Sequence, residues 1–511
     1  MKRILFSAIA AVTIAFNADA LILRTTVSQG EIEGVEHEGA ALYKSIPYAE
    51  PPVGNLRWKA PVEKKKWTGV YNADKWGNRP PQIADPNQGG GDIPMSEDCL
   101  YLSVTTPAES VDEKLPVFVM IHGGGFNTGS YIGTQESFVN EGIIYVSIEY
   151  RLGVLGFMSH PELTKESSDG ISGNYGILDQ IAALKWIHNN ISAFGGDPDK
   201  VTIAGESAGG ISVSILCASP LTKGLFRGAI SESGSSFWPI GDNRNGNTAI
   251  CNLAGAEKVG TEFQKRFGKK NIKQMRSIDA RSLVDSARNE TFWPIVDGYV
   301  ILDDQYKLYE TSRYNDVNVI IGTNSDEGSL FSIPMPVEAY EGRMRSVYGD
   351  WADRILKLYP ASNPEEVYYA QSDIFRDGSF AWPTYAWANL QSRIGKGKVY
   401  MYYFDQDSEN TILRSRRGGA SHVAEMPFIY GYKFNGGEMT PTENHMLQIM
   451  SRYWINFTKT GSPNAEALPF WTPYEQGKNT VMIMRNGFFL DNVPNQLQLD
   501  FFEEFFRSKR K

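Results

Sequence analysis

The pentapeptide Gly205-Glu206-Ser207-Ala208-Gly209 contains the residue types that point most directly to chemistry. It follows the β-branched run 201–204 and precedes small residues, a pattern typical of a strand that turns sharply into a helix. Such a turn aims the serine hydroxyl away from the backbone, and a glycine on each side avoids clashes with Cβ atoms. The start of the following helix also adds positive potential where negative charge would develop. The sequence therefore predicts that Ser207 is a nucleophile.

A second glycine-rich turn, His122-Gly123-Gly124-Gly125-Phe126, follows the apolar run 115–121. Consecutive glycines let the backbone approach a ligand closely and point N–H groups into a cavity. We expect the N–H groups of Gly124, Gly125 and Ala208 to bind an oxyanion, each contributing about 3–4 kcal/mol at the transition state. A nucleotide-binding loop is excluded, because neither G-x-G-x-x-G nor the lysine of a phosphate-binding loop is present. We expect His122 to order this turn rather than to act as a base.

A serine nucleophile needs a general base, and the base needs a carboxylate that holds its tautomer. In a strand-turn-helix architecture of this kind the chain order is serine, acid, histidine. Only His422 and His445 follow Ser207. His422 lies in a glycine-containing loop after the apolar run 399–404, where it can reach over the edge of a sheet, whereas His445 begins an amphipathic helical pattern. We therefore predict that His422 is the base.

The acid is expected after a strand that lies between these two residues in the chain. The apolar run 317–321 leads to Asn324-Ser325-Asp326-Glu327-Gly328, which holds two candidates, Asp326 and Glu327. Either carboxylate could orient the imidazole of His422 and stabilise its charged form. The residue pattern alone does not choose between them.

The elements that must position these residues alternate between strands and helices. Apolar runs rich in β-branched and aromatic residues end at glycine-rich or polar turns, at 115–121, 143–150, 201–204, 317–321 and 399–404. Because both faces of each run are apolar, the runs predict strands buried on both sides of a mainly parallel sheet. Between them, Ile177 to Ile191 form a helical apolar face that ends near the glycines and proline of 194–198. The alternation predicts an open, doubly wound α/β sheet, with 289–310 and 338–392 as capping insertions.

The composition limits the class of protein. Of the 511 residues, 41% are hydrophobic, which supports a large core and excludes a disordered or fibrous chain. The formal net charge of −9 and the lack of a basic block argue against nucleic-acid binding. Apolar residues at helical spacing in 497–506 predict a docked terminal helix.

The N-terminus has the pattern of an export signal. Lys2 and Arg3 precede the apolar run 4–16, and Ala18-Asp19-Ala20 follows it. We expect cleavage after residue 20, a secreted or periplasmic location, and a single domain over residues 21–511. No later segment approaches about 18 uninterrupted apolar residues, so stable membrane insertion is not expected.

Taken together, these motifs resemble the type B carboxylesterases of the α/β-hydrolase fold, and bacterial p-nitrobenzyl esterases are the closest in pattern. Further ordered motifs carry the resemblance over nearly the whole chain, at 46–54, 97–102, 150–153, 173–180, 194–198, 326–328, 422–425 and 460–464. The resemblance implies a serine hydrolase of small-molecule carboxylic esters that forms an acyl-enzyme and needs no metal or organic cofactor. It also implies that Glu327 is the acid, that Glu206 lies in the substrate site beside the nucleophile, and that Ser233 is buried near the acid.

Two features depart from the family pattern around Cys99. Family members often bridge this cysteine to one about twenty residues earlier, but no cysteine precedes Cys99 here. We therefore expect a free, buried thiol. The stretch between Gln82 and Cys99 has no aromatic residue, so a binding site for quaternary ammonium groups is not supported.

The part of the site expected to hold the acyl group also departs from the pattern of the cholinesterases. Those proteins carry aromatic residues of the acyl pocket upstream of the segment that matches Phe292-Trp293-Pro294 here. Arg288 and Glu290 lie there instead and predict a more open or polar acyl side. Phe237 and Trp238 are candidate substrate contacts, with a core position as the equal alternative. An open acyl side would admit aromatic or bulky acyl groups such as hydroxycinnamates. A catalytically silent adhesion or binding module of the same fold, and an amidase, are the alternative functions.

Overall fold

The computed structural model describes residues 21–83, 93–130, 133–242, 249–407, 415, 417–431 and 438–510. The predicted export signal, residues 1–20, lies outside the described residues. Within them, eleven strands form one large sheet, numbered here β1 to β11 along the chain. Their bounds are Val35–His37, Ala40–Pro47, Tyr101–Thr106, Leu115–Ile121, Ile144–Ile148, Gly196–Glu206, Gly228–Glu232, Asn318–Asn324, Val399–Phe404, Thr480–Met484 and Phe488–Asn492.

The large sheet is parallel in its centre and antiparallel at its edges. The strand order is β11-β10-β9-β8-β7-β6-β4-β5-β3-β2-β1. Every pairing from β10 across to β5 is parallel, and the pairings outside this block are antiparallel. The predicted mainly parallel sheet is therefore confirmed. Short strands outside it form two smaller sheets, at Arg24–Val27, Gly30–Glu33 and Val70–Asn72, and at Ile240–Gly241 and Ile250–Cys251.

The apolar runs of the sequence are explained by burial on both faces of the sheet. In β4, Val117, Val119 and Ile121 belong to the core on one face. Phe118 and Met120 belong to the core on the other face. Because successive side chains of a strand point to opposite faces, a strand covered on both sides needs an apolar residue at almost every position.

Helices cover both faces of the sheet. In chain order α1 to α16 are Glu136–Val139, Gly153–Phe157, Pro161–Glu166, Tyr175–Asn190, Ala208–Ala218, Leu253–Arg266, Ile272–Met275, Ala280–Ser286, Gln305–Glu310, Val337–Tyr348, Ala352–Leu358, Pro364–Arg376, Trp382–Ile394, Met426–Tyr430, Pro441–Thr460 and Gln496–Lys509. Apolar side chains of α4 and α5 enter the first core, and those of α15 enter the second. The segment predicted to cap the sheet forms α10 to α13, with a π-helical turn at Asp377–Ala381.

The terminal helix α16 docks on the protein, as the apolar spacing predicts. Phe501, Phe502, Phe505 and Phe506 are buried, while Leu497 at its start is 73% exposed. None of the helices in the described part of the chain is both long and apolar enough to cross a bilayer. Cys99 is a free, buried thiol, as expected from the lack of an earlier partner.

Candidate active site

Ser207 lies at the junction of β6 and α5, in a sharp turn. Its backbone dihedral angles, φ 56° and ψ −121°, are strained for a residue with a side chain. Its N–H donates to the carbonyl oxygen of Glu232 over 2.9 Å, which ties the turn to β7. A Cβ on Gly209 would lie 2.1 Å from the carbonyl oxygen of Ile121, so only glycine fits there. The turn holds the Ser207 side chain at the wall of a cavity.

The loop between β9 and α14 brings His422 to this serine. Its Nε2 lies 2.9 Å from Ser207 Oγ. The loop is held in place because Asn324 Nδ2 donates to the carbonyl oxygen of Ser421 over 2.9 Å. The imidazole is buried and stacks on the ring of Phe380, with 4.9 Å between the ring centroids. One nitrogen of the ring therefore faces the serine in a fixed orientation.

The two acid candidates occupy different positions. Glu327 Oε2 lies 2.6 Å from His422 Nδ1, and Glu327 Oε1 accepts the N–H of Asn324 over 2.7 Å. Asp326 instead accepts a hydrogen bond from Ser372 Oγ over 2.8 Å. Glu327 is thus the carboxylate in contact with the imidazole.

The glycine-rich turn after β4 lies beside the serine. Gly124 and Gly125 have φ values of +95° and +62°, a region that favours glycine. The carbonyl oxygen of Gly124 accepts the N–H of Thr128 over 3.0 Å, which fixes the turn. Within the described ranges, no backbone hydrogen bond engages the N–H of Gly124, Gly125 or Ala208, and all three residues line the cavity. These donors are therefore available to a negatively charged oxygen.

His122 supports this turn from the core side. Its Nδ1 donates to the carbonyl oxygen of Gly123 over 2.9 Å. Its ring stacks on Tyr150 with centroids 4.3 Å apart. Burial lowers the pKa of His122 to about 4, so the ring is neutral at physiological pH. These contacts agree with the expected ordering role.

Buried carboxyl groups surround the imidazole of His422. Glu206 Oε1 lies 3.2 Å from His422 Nε2. The charge of Glu425 also acts on the imidazole, and Glu425 Oε1 accepts a hydrogen bond from the hydroxyl of Ser233 over 3.4 Å. Burial alone would lower the pKa of His422, but the charge of Glu206 and the hydrogen bond and charge of Glu327 raise it to about 9. Burial in turn raises the pKa of Glu206, and the positive charge of the imidazole opposes that rise. The imidazolium is therefore stabilised as long as the carboxylates of Glu206 and Glu327 carry their charges.

A cavity of about 980 Å³ opens over Ser207. Trp238, a predicted substrate contact, lies on its wall. Phe237 does not line this cavity in the described structure; its fully buried ring packs on Tyr309, with 5.0 Å between centroids. The two adjacent side chains thus diverge, one toward the cavity and the other into the core, and the expected contact of Phe237 with substrate is corrected to a core position.

The expected polar acyl side is only partly present. Glu290 lines the cavity and forms an ion pair with Arg266 over 2.9 Å. Arg288 pairs with Asp285 over 2.9 Å and does not reach the cavity lining. Trp293 forms part of the same wall, so this side combines an aromatic ring with a neutralised carboxylate.

Other cavity residues carry no local sequence signal. Phe331, Phe375, Phe380 and Arg343 line the cavity but come from the capping segment or its approach. Phe331 packs its edge against the imidazole, with 5.3 Å between centroids. Contacts between distant elements leave no spacing pattern, so these cavity residues could not be identified from the sequence. His445, the alternative base, lies exposed on α15.

The strand order, the turn at Ser207 and the adjacent donors define the class of protein as an α/β-hydrolase. A solved structure titled PNB esterase matches with a TM-score of 0.81 at 31% identity, covering 94% of this chain and 99% of that chain. A solved thermophilic PNB esterase gives the same TM-score, identity and coverage.

Sequence comparisons give the family. The carboxylesterase family model matches residues 21–502. The para-nitrobenzyl esterase of Bacillus subtilis (strain 168) is 32% identical, over 92% of this chain and 96% of that protein. The fumonisin B1 esterase of Sphingopyxis macrogoltabida is 30% identical, over 90% of this chain and 85% of that protein. The chain belongs to the carboxylesterase family and is a carboxylic ester hydrolase.

Proposed function

We propose that the enzyme cleaves esters through an acyl-enzyme on Ser207, with His422 as general base and Glu327 as its acid partner. The observation that carries this proposal is the continuous line of contacts from Ser207 Oγ to His422 Nε2 at 2.9 Å and from His422 Nδ1 to Glu327 Oε2 at 2.6 Å. A nucleophile, a base and an orienting carboxylate within hydrogen-bond reach are what this chemistry requires.

In the acylation step, Ser207 Oγ attacks the ester carbonyl carbon while His422 Nε2 takes the hydroxyl proton. The carbonyl oxygen becomes an oxyanion and accepts hydrogen bonds from the backbone N–H groups on the cavity wall. The imidazolium, stabilised by Glu327, then donates its proton to the leaving alkoxide. An alcohol departs, and the acyl group stays on Ser207.

The deacylation step repeats this sequence with water as the nucleophile. His422 accepts a proton from water as the water oxygen attacks the acyl carbon. The bond to Ser207 Oγ breaks, and His422 returns the proton to that oxygen. A carboxylic acid leaves and the enzyme regains its starting state.

The decisive experiment replaces the nucleophile. Ser207→Ala should lower kcat for a neutral p-nitrophenyl ester by at least about 10³-fold, because no oxygen remains to form the acyl-enzyme. An organophosphate should add its phosphoryl group to Ser207 of the unmodified enzyme, seen by peptide mass spectrometry. His422→Ala should also abolish turnover, whereas His445→Ala, on the exposed face of α15, serves as the matched control. Near-normal turnover by Ser207→Ala would contradict the mechanism.

We further propose that the substrates carry aromatic or bulky acyl groups such as hydroxycinnamates. A cavity of about 980 Å³ with Trp238, Trp293 and Phe331 on its walls supports this, because it offers apolar area well beyond that of an acetyl group. A panel of esters of one alcohol, from acetate to ferulate, tests it through kcat/KM. A steady fall in kcat/KM with acyl size would contradict the proposal.

We also propose that residues 1–20 direct export and are removed, so that the enzyme acts in the periplasm or outside the cell. The charged start, the short apolar run and Ala18-Asp19-Ala20 support this proposal. Expression with the native N-terminus in a bacterial host should give an exported protein that begins at Leu21, as read by N-terminal sequencing. Activity confined to the cytoplasm, with residues 1–20 intact, would contradict it.

A further inference from the structure

Arg343 of α10 is a charged residue of the cavity that the proposed mechanism does not use. It is the only lysine or arginine among the described residues that line the cavity over Ser207. Its side chain makes one long hydrogen bond, from Nη1 to Gln371 Oε1 over 3.4 Å. No ion pair with a carboxylate of the described chain is formed, whereas Arg345 on the same helix pairs with Asp353 over 2.8 Å.

The carboxylates that line the same cavity already have partners. Glu290 pairs with Arg266 over 2.9 Å, and Glu206 lies 3.2 Å from His422. Arg343 therefore leaves positive charge at the cavity wall without compensation from the described residues. Arg343 is exposed to solvent while it lines the cavity, so a ligand can reach its guanidinium. A guanidinium presents a planar set of donors that matches a carboxylate.

An aromatic layer connects Arg343 to the serine. Gln371, the contact of Arg343, lies one turn before Phe375 on α12. Phe375 stacks on Phe331 with centroids 4.6 Å apart, and Phe331 contacts the imidazole of His422. An apolar group that starts at the scissile ester and crosses Phe331 and Phe375 would thus end beside the guanidinium.

We propose that Arg343 binds a carboxylate of the substrate, so that the preferred esters carry an anionic group separated from the scissile bond by an apolar spacer. The spacer packs on Phe331 and Phe375, and the carboxylate pairs with the guanidinium. This inference rests on the proposed function, since it places the scissile ester at Ser207. It assigns Arg343 a role in substrate choice and none in bond cleavage.

The test compares ester pairs that differ in one group only, a terminal carboxylate in one member and its neutral carboxamide in the other. The pairs span increasing spacer lengths, with the terminal group on the acyl part in one series and on the alcohol part in a second. The measured quantity is the ratio of kcat/KM for carboxylate over carboxamide. At the best spacer length we expect this ratio to be about three to five in the unmodified enzyme, chiefly through KM, and to fall as salt increases, because the guanidinium is exposed to solvent.

Two variants separate the proposed contact from general charge. Arg343→Gln should bring the ratio to about one, and Arg343→Lys should retain part of the preference. Arg345→Gln removes a positive charge of the same helix outside the cavity lining, and it should keep the ratio of the unmodified enzyme. The inference is overturned if the ratio is the same in the unmodified enzyme, Arg343→Gln and Arg345→Gln at every spacer length. Turnover of both members of a pair that survives in Ser207→Ala would instead refute the proposed function, because the ester would then be cleaved without the Ser207 hydroxyl.

Discussion

Replacing Glu206 with glutamine should lower the pH at which ester hydrolysis reaches its maximum. A base must lose its proton before it can act, so kcat/KM rises with pH as the His422 imidazole becomes neutral. Burial favours the neutral ring, but the charge of Glu206 and the contact with Glu327 outweigh burial and raise the pKa of His422 to about 9. Glutamine has nearly the same shape without the charge. In the variant the imidazole therefore releases its proton at lower pH.

The size of the shift follows from the separation of the charges. At 3.2 Å, two unit charges interact by about 5 kcal/mol with an effective dielectric constant of about 20, which sets an upper limit. A rise in pKa from 6.5 to about 9 corresponds to about 3 kcal/mol. Because Glu327 and Glu425 also contribute to this rise, the variant should reach half-maximal kcat/KM about 1–2 pH units lower.

The assay is the pH dependence of kcat/KM for p-nitrophenyl butyrate, read where nitrophenol and nitrophenolate absorb equally. Glu232→Gln is the matched control, because Glu232 is buried and paired in register with Glu206 on the neighbouring strand. Its Oε1 accepts the indole N–H of Trp454 over 2.6 Å and the hydroxyl of Tyr430 over 3.0 Å. The control should keep the pH profile of the unmodified enzyme. An unshifted profile for Glu206→Gln, a shift to higher pH, or an equal shift in both variants would refute the reasoning.

Two further pairs of substitutions test the acid and the turn. Glu327→Gln should lower kcat by about 10³–10⁴-fold, because a neutral amide 2.6 Å from the ring cannot stabilise the imidazolium. The control, Asp326→Asn, should lower kcat by less than about tenfold. Equal losses of kcat in the two variants would contradict the choice of Glu327 as the acid. Gly209→Ala should give an inactive or poorly folded protein, because its Cβ would lie 2.1 Å from a carbonyl oxygen. In contrast, Gly342→Ala, with nothing within 4 Å of the new Cβ, should raise the free energy of unfolding by about 0.5–1 kcal/mol in thermal denaturation. Normal kcat and Tm for Gly209→Ala would contradict the steric argument.

The parts of the fold that could be predicted from sequence are those with short-range causes. A strand covered on both sides needs apolar residues throughout, so the run that became β4 was recognisable without any knowledge of its neighbours. The turn at Ser207 needs glycine because its backbone atoms nearly touch, and that requirement also leaves a local pattern. Its strand, Gly196–Glu206, is nevertheless longer than the predicted run 201–204. It pairs with β4 at Gly196 and at 201–205, and with β7 at 202–206.

The residues that escaped prediction depend on contacts between distant segments. Phe331 and Phe380 contact the imidazole of His422 in the folded chain. They precede it in sequence by about 90 and about 40 residues, and no spacing rule links residues so far apart. The adjacent residues Phe237 and Trp238 have similar apolar character, so their types could not tell which one faces the cavity. The choice between core and cavity is made by the surrounding packing, which only the folded chain defines.

The register of three neighbouring strands couples the stability of this fold to its chemistry. Glu232 at the end of β7 pairs with Glu206 on one side and with Gly322 on the other. Ser207 follows the first of these partners directly, and Glu327 follows the strand that contains the second. A slip of one residue would move a strand by about 3.3 Å along its axis. The contacts of His422 with Ser207 and Glu327, at 2.9 Å and 2.6 Å, cannot survive such a displacement. The buried apolar residues on both faces that resist this slip therefore also preserve the alignment on which the proposed catalysis depends.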